Sequence, residues 1–181
     1  IFQVESGGMQ ELAKQLHIDK FEEIIAVGAL YRPGPMEMIP TFCNRKHGKE
    51  SIEIDHPLMA DILAETYGIM VYQEQAMQMA RDMANFTWSE VDKLRKAISK
   101  KSGKDFDDAC NLFATKSAER GISQEVINEV LALMAKFGGY AFNRSHACSY
   151  ALLSYYTAFL RYYYPSEWLA ACIQIDKDDE D

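Results

Sequence analysis

Apolar residues recur three and four positions apart along almost the whole chain, the spacing that puts them on one face of an α-helix. Leu12 and Leu16 follow Ser6, a natural N-cap, and predict a helix of about ten residues. Asp19 is placed to cap a second helix through Phe21, Ile24, Ile25 and Val27. Arg32-Pro-Gly-Pro35 then stops any helix, because proline lacks a donor and pushes the residue before it out of the helical region. Pro40 starts the next helix, which runs towards Gly48, and Leu58, Ile62 and Leu63 mark a short one after the loop 49–57. A Met-rich helix is expected over Gln73 to Asn85, and Thr87-Trp-Ser-Glu90 is a capping box that opens another, ended by Gly103. Further helices are expected over Asp105–Arg120, from Ser123 to the glycines at 138 and 139, over Ser145–Tyr162 and over Ser166–Ile175. The exception is Tyr67–Tyr72, β-branched and aromatic after a glycine, and too short to found a sheet. The expected fold is mainly α, a multi-helix assembly with at most a short β element near 67–72.

Composition narrows the class. The chain has 181 residues, 48% hydrophobic and 25% charged, which excludes collagen-like, low-complexity and largely disordered sequences. Its longest uncharged apolar stretch, Ala147–Leu160, is shorter than the roughly 20 residues of a bilayer span, so no membrane partner is expected. Ile1 is preceded by neither an initiator Met nor a secretory leader, so the sequence is expected to be a piece of a longer chain in the cytoplasm. Cys43, Cys110, Cys148 and Cys172 lack zinc-ligand spacing and are expected to be free thiols. No nucleotide-binding glycine loop, nucleophile elbow or zinc helix motif is present. The clustered aspartates of the acidic end, 176–181, do not resemble a two-metal centre.

Charge patterning changes the picture more. A net charge of −8 argues against a nucleic-acid partner, yet the last six residues alone carry five acids and one lysine. Lys93, Arg95, Lys96, Lys100, Lys101 and Lys104 lie together with no acid among them. On a helix, Lys93, Lys96 and Lys100 share a face, continued by Lys104 if the helix extends that far, while Val91, Leu94 and Ile98 face the core. Such a stripe repels itself unless an anion sits opposite, and a phosphate chain is one such partner; a solvated face is the other reading.

A second cluster, Lys136-Phe-Gly-Gly-Tyr-Ala-Phe-Asn-Arg-Ser-His146, opens a helix. Its N–H groups with Lys136, Arg144 and His146 suit an anion, and Tyr140 or Phe142 a base; an ordinary turn with Ser145 as a cap accounts for the same residues. Arg32 and the Arg45-Lys46-His47 run are weaker backbone-phosphate candidates. Glu74 favours the start of its own helix.

Six ordered segments carry a resemblance: Phe2-Gln-Val-Glu-Ser6, Ala29-Leu-Tyr-Arg-Pro-Gly-Pro35, Arg45-Lys-His-Gly48, Glu65 through Gln75, Leu94-Arg-Lys-Ala97 with Lys100-Lys101, and Lys136 through Ala147. Collinear over nearly the whole chain, they closely resemble the bacterial C-family replicative DNA polymerases, in the fingers region beyond the palm. The resemblance implies residues 1–35 as palm-to-fingers junction helices, 36–175 as the helical fingers domain and 176–181 as an acidic tail. It implies no catalytic or metal residue here: three palm aspartates outside the chain hold Mg2+. It implies deoxynucleoside triphosphate and primer-template DNA as partners, with the remaining polymerase domains and other replisome subunits. Arg95, Lys96, Lys136, Tyr140, Asn143, Arg144, Ser145 and His146 would meet the nucleotide. Lys93, Lys100, Lys101, Lys104, Arg32, Arg45 and Lys46 would meet DNA. The chain departs from the family at Arg95-Lys96, often two arginines, and at Arg144, often lysine, which alters fork geometry but not charge. The alternative is a stand-alone helical module that binds nucleic acid or protein without catalysis; a metal-dependent nuclease lacks its ligand cluster.

Overall fold

The computed structural model describes residues 1–100, 103–138 and 140–176. Among these are ten α-helices: α1 Gly7–Leu16, α2 Phe21–Leu30, α3 Ile39–Lys46, α4 Pro57–Leu63, α5 Gln73–Asp82, α6 Trp88–Ser99, α7 Lys104–Glu119, α8 Gln124–Phe137, α9 Arg144–Tyr163 and α10 Pro165–Asp176. Short 3-10 helices at Pro35–Met38 and Ala64–Thr66 complete the regular structure. The molecule is mainly α, as the periodicity requires.

The chain divides into two compact units, Ala29–Arg144 and a discontinuous one formed by Ile1–Gly28 with Ser145–Asp181. In the discontinuous unit, Ser6 caps α1 by accepting the Met9 N–H on its hydroxyl. That helix buries Met9, Leu12 and Leu16. α9 buries the small stripe Ala147, Ala151 and Ser154. The chain start is tied to α9 by the Phe2 N–H, which donates to Thr157 Oγ1 at 3.0 Å, and by the Phe2 and Tyr150 rings, 5.5 Å apart. Phe21 meets Tyr155 edge-on at 6.3 Å. Most of the outer surface of α9 and α10 is apolar and uncovered, with Tyr156, Tyr162, Tyr163, Leu169, Ile173 and Ile175 all more than half exposed.

In the continuous unit, neighbours in sequence are neighbours in space: α4 packs on α5, α5 on α6, α6 on α7 and α7 on α8. Their shared core is rich in methionine, with Met59, Met79, Met83 and Met134 fully buried beside Leu94, Ile98 and Phe113. Unbranched thioethers fill the irregular gaps between packed helices.

The segment expected as a strand forms no ladder. A single parallel bridge joins Tyr72 to Phe142. Gln75 explains why: its side-chain oxygen accepts the N–H groups of Val71 at 2.8 Å and Tyr72 at 3.0 Å, donors that a neighbouring strand would otherwise receive. Gly103 also differs from expectation. It precedes α7 with a φ of 113°, while α6 ends at Ser99, so Lys104 opens α7 and does not prolong the lysine stripe. The last helix, expected from Ser166, begins one residue earlier at Pro165, whose missing donor costs nothing in a first turn.

Candidate nucleic-acid interface

α6 begins with a reciprocal cap. Thr87 N–H donates to Glu90 Oε2 at 2.7 Å, and Glu90 N–H donates to Thr87 Oγ1 at 3.4 Å. The cap fixes the helix's rotation, so Val91, Leu94 and Ile98 are buried and Lys93, Lys96 and Lys100 line the groove of about 530 Å³ between α6 and α7. Phe86, Ala109 and Leu112 contribute apolar walls, and Asp105 and Asp108 form the opposite rim. The anion that the stripe demands is therefore partly supplied from within. Asp92 receives Lys96 at 2.6 Å and Arg95 at 2.8 Å, and Asp105 lies 3.7 Å from Lys100. Lys96 and then Arg95 hold the Asp92 carboxyl below its ordinary range. Lys96 and Lys100 are 62% and 69% exposed, so these pairs are screened and give way readily to a stronger anion. Lys116, from α7, reaches Glu90 at 2.6 Å and, with the Thr87 cap, pulls its carboxyl down to about 2. Lys104 is exposed at the start of α7, and Lys101 lies outside the described residues.

Segment 136–144 is held from two sides. Lys136, exposed on the last turn of α8, and Tyr140 line a separate cleft of about 350 Å³, with Arg45, Glu50, Glu53 and Glu129 also on its wall. The Tyr140 ring lies over Gly34, whose φ is +103°; a Cβ there would come within 2.2 Å of the ring. Arg32 clamps the same loop. Its Nη2 donates to the Tyr140 carbonyl at 3.1 Å, its Nε to the Ala29 carbonyl at 3.0 Å, and its guanidinium lies 4.1 Å from the centre of the Phe142 ring. Burial lowers the Arg32 pKa from its ordinary value.

The N–H of Gln73 donates to the Phe142 carbonyl at 2.9 Å, which brings the start of α5 beside residues 142–144. The Glu74 carboxylate there accepts Asn143 Nδ2 at 3.1 Å and the Arg144 N–H at 3.0 Å. Glu65 accepts Arg144 Nε at 2.9 Å and Nη2 at 2.8 Å, a two-pronged fork. Ser145 and His146 are exposed in the first turn of α9, with the His146 ring 4.4 Å from Tyr150. The end of α8 comes close to α6 on that helix's buried side, where a Cβ on Gly138 would lie 3.9 Å from the Ile98 carbonyl.

Arg45 is also committed to its own fold, donating to Glu50 at 3.0 Å and to the carbonyls of Tyr67 and Gly68 at 3.3 and 3.4 Å. Lys46 is half-buried beside it on α3. Sequence reasoning missed the two carboxylates that grip Asn143 and Arg144. Both lie within a segment that carries the family resemblance, but nothing in the sequence says which cation 70 or 79 residues away they would meet.

Among the described residues no three His, Cys, Asp or Glu side chains are grouped to hold a metal ion, and no helix is long and apolar enough to cross a membrane. The family model for the bacterial DNA polymerase III alpha subunit finger domain matches residues 1–121. DNA polymerase III subunit alpha of Chlamydia pneumoniae is 56% identical over 99% of this chain, which spans 14% of that protein. The subunits of Neisseria meningitidis serogroup A and Xylella fastidiosa strain Temecula1 are 47% and 45% identical over the full chain, which spans 16% and 15% of them. From Ile1 to Gly121 by direct match, and with close relatives over nearly its whole length, the chain belongs to the finger-domain family of bacterial DNA polymerase III alpha subunits.

Proposed function

We propose that this chain serves as the fingers of a DNA-directed DNA polymerase, binding the incoming deoxynucleoside triphosphate and the primer-template. The observation that carries the reading is the α6–α7 groove, where Lys93, Lys96 and Lys100 are drawn together in a finger-domain chain of net charge −8. Lysines on a capped helix offer point charges to successive phosphates, and the weak surface pairs of Lys96 with Asp92 and of Lys100 with Asp105 exchange for phosphate at little cost. Arg95 and Lys96 share Asp92, so one carboxylate governs two of the cations assigned to the nucleotide.

Lys136, Tyr140, Asn143, Arg144, Ser145 and His146 form the second part of the nucleotide assignment, and Lys101 and Lys104 extend the DNA contacts. Arg32 and Arg45 belong to the DNA assignment with Lys46, and their internal bonds also brace loops 140–142 and 67–68. Phosphoryl transfer depends on positioning and electrostatic stabilisation, to which such cations contribute without metal ligands. Mg2+ enters as a requirement of the complete polymerase, with ligands in the remaining polypeptide.

The test is primer-template binding by the full polymerase carrying this chain, measured across salt concentration. Replacing Lys93, Lys96 and Lys100 with alanine is expected to weaken binding and to flatten the plot of log affinity against log salt by about 2 to 3, at roughly 0.9 per lost phosphate contact. An unchanged slope in a folded variant overturns the groove assignment and favours a protein-binding role for the surface.

A further inference from the structure

The Glu65–Gln75 segment has no part in the nucleotide assignment, yet two of its carboxylates, Glu65 and Glu74, hold residues 143 and 144. Its middle is rigid and buried. Gln75 Nε2 donates to Thr66 Oγ1 at 2.8 Å and to the Ile62 carbonyl at 3.3 Å, while Thr66 Oγ1 donates to the carbonyl of Ile69 at 2.6 Å. Thr66 and Gln75 are 1% and 3% exposed, so this network holds its geometry without competition from water. The two ends of the segment project acids. Glu74 leaves the first turn of α5 and takes the Arg144 N–H and the Asn143 amide; Glu65 leaves the 3-10 turn and takes the Arg144 fork.

A guanidinium has many rotamers, and fixing one in advance lowers the ordering cost of binding an anion. We infer that Glu65 is a positioning residue for nucleotide recognition: through its bidentate grip it presets the Arg144 guanidinium for the triphosphate, with Glu74 fixing the backbone from which Arg144 projects. This inference rests on the proposed assignment of Arg144 to the nucleotide.

The experiment uses the full polymerase carrying this chain, with steady-state nucleotide KM, primer-template Kd and thermal midpoint measured for E65A, E65Q, R144A, the double variant E65A/R144A and the swap E65R/R144E. E65A is expected to raise the nucleotide KM about tenfold, the scale of a lost positioning contact, without moving the primer-template Kd. E65Q, which keeps one acceptor, falls between. The double variant is no worse than R144A, because Glu65 acts only through Arg144. The swap recovers the thermal midpoint but not the KM, since a guanidinium at 65 points elsewhere. A KM unmoved by E65A and E65Q, with R144A raising it, overturns the positioning role and leaves the Arg144 assignment standing. A KM unmoved by R144A overturns that assignment and the inference with it. Recovery of KM by the swap would reduce the pair to a structural brace and also overturns the inference.

Discussion

Single residues in this chain are constrained by what lies opposite them. Gly34 is the sharpest case, with a left-handed φ of +103° and the Tyr140 ring where a side chain would begin. Gly34→Ala is expected to cost about 1 to 3 kcal/mol by combining backbone strain with a steric clash. Urea denaturation checks this, and an unchanged midpoint would mean that the ring moves aside freely. Ser117 makes the opposite case: its hydroxyl is fully buried on α7 with no hydrogen-bond partner among the described residues. Ser117→Ala is expected to stabilise the chain by about 1 kcal/mol, since an unmade hydrogen bond is removed with its desolvation penalty; a loss of stability would point to a partner that forms in solution. The sequence made the basic residues visible but not their contacts. Arg32, Arg45 and Arg144 all read as candidate phosphate ligands, and each meets a carbonyl or a carboxylate between 22 and 108 residues away in addition to its near neighbours. Such pairings are properties of the fold and leave no local trace.

At the scale of elements, local chemistry was legible wherever the signal and its target lie within one turn. The caps at Ser6, Thr87 and Ser123 each take an N–H three residues on, at the positions their sequences indicate. Thr87→Ala is expected to cost about 1 kcal/mol and to fray the start of α6, measurable as faster amide exchange at residues 88–91. Illegible features were those in which a side chain replaces a backbone partner. The apolar run before Tyr72 reads as a strand because sequence shows its propensity and not Gln75 satisfying its donors from inside the next helix. Gly103 reads as the end of one helix and is the entry to the next, since a glycine with positive φ suits either place. The Glu90–Lys116 link adds a pH dependence. Because the folded carboxyl titrates near 2 against an ordinary 4.5, its contribution is complete above about 4.5 and is lost as pH falls through that window. Lys116→Met is expected to raise the Glu90 titration midpoint, read by NMR, and to lessen the acid sensitivity of α6; an unmoved midpoint would assign the shift to the Thr87 cap alone.

At the scale of the whole molecule, the ten helices and their order followed from periodicity and punctuation, whereas the division into units did not, because contiguity in space is not contiguity in sequence. The exposed aromatic surface of α9 and α10 likewise reads as ordinary helix packing in sequence, since a 3.6-residue pattern does not say whether a partner helix is present. An isolated 181-residue chain is expected to self-associate through that surface in sedimentation velocity experiments, and Leu160→Lys with Tyr163→Lys to reduce the association; a monomer at all concentrations would count against it. The discontinuous unit has a further consequence, on the ribosome. Phe2 must wait for Thr157, 155 residues later, which at about 5–20 residues per second is roughly 8 to 30 seconds of synthesis. In the continuous unit α5, α6, α7 and α8 each pack on the helix before them, contacts that close far sooner. Through that interval Phe2 has been synthesised without either of the α9 side chains, Tyr150 and Thr157, that it meets in the folded unit.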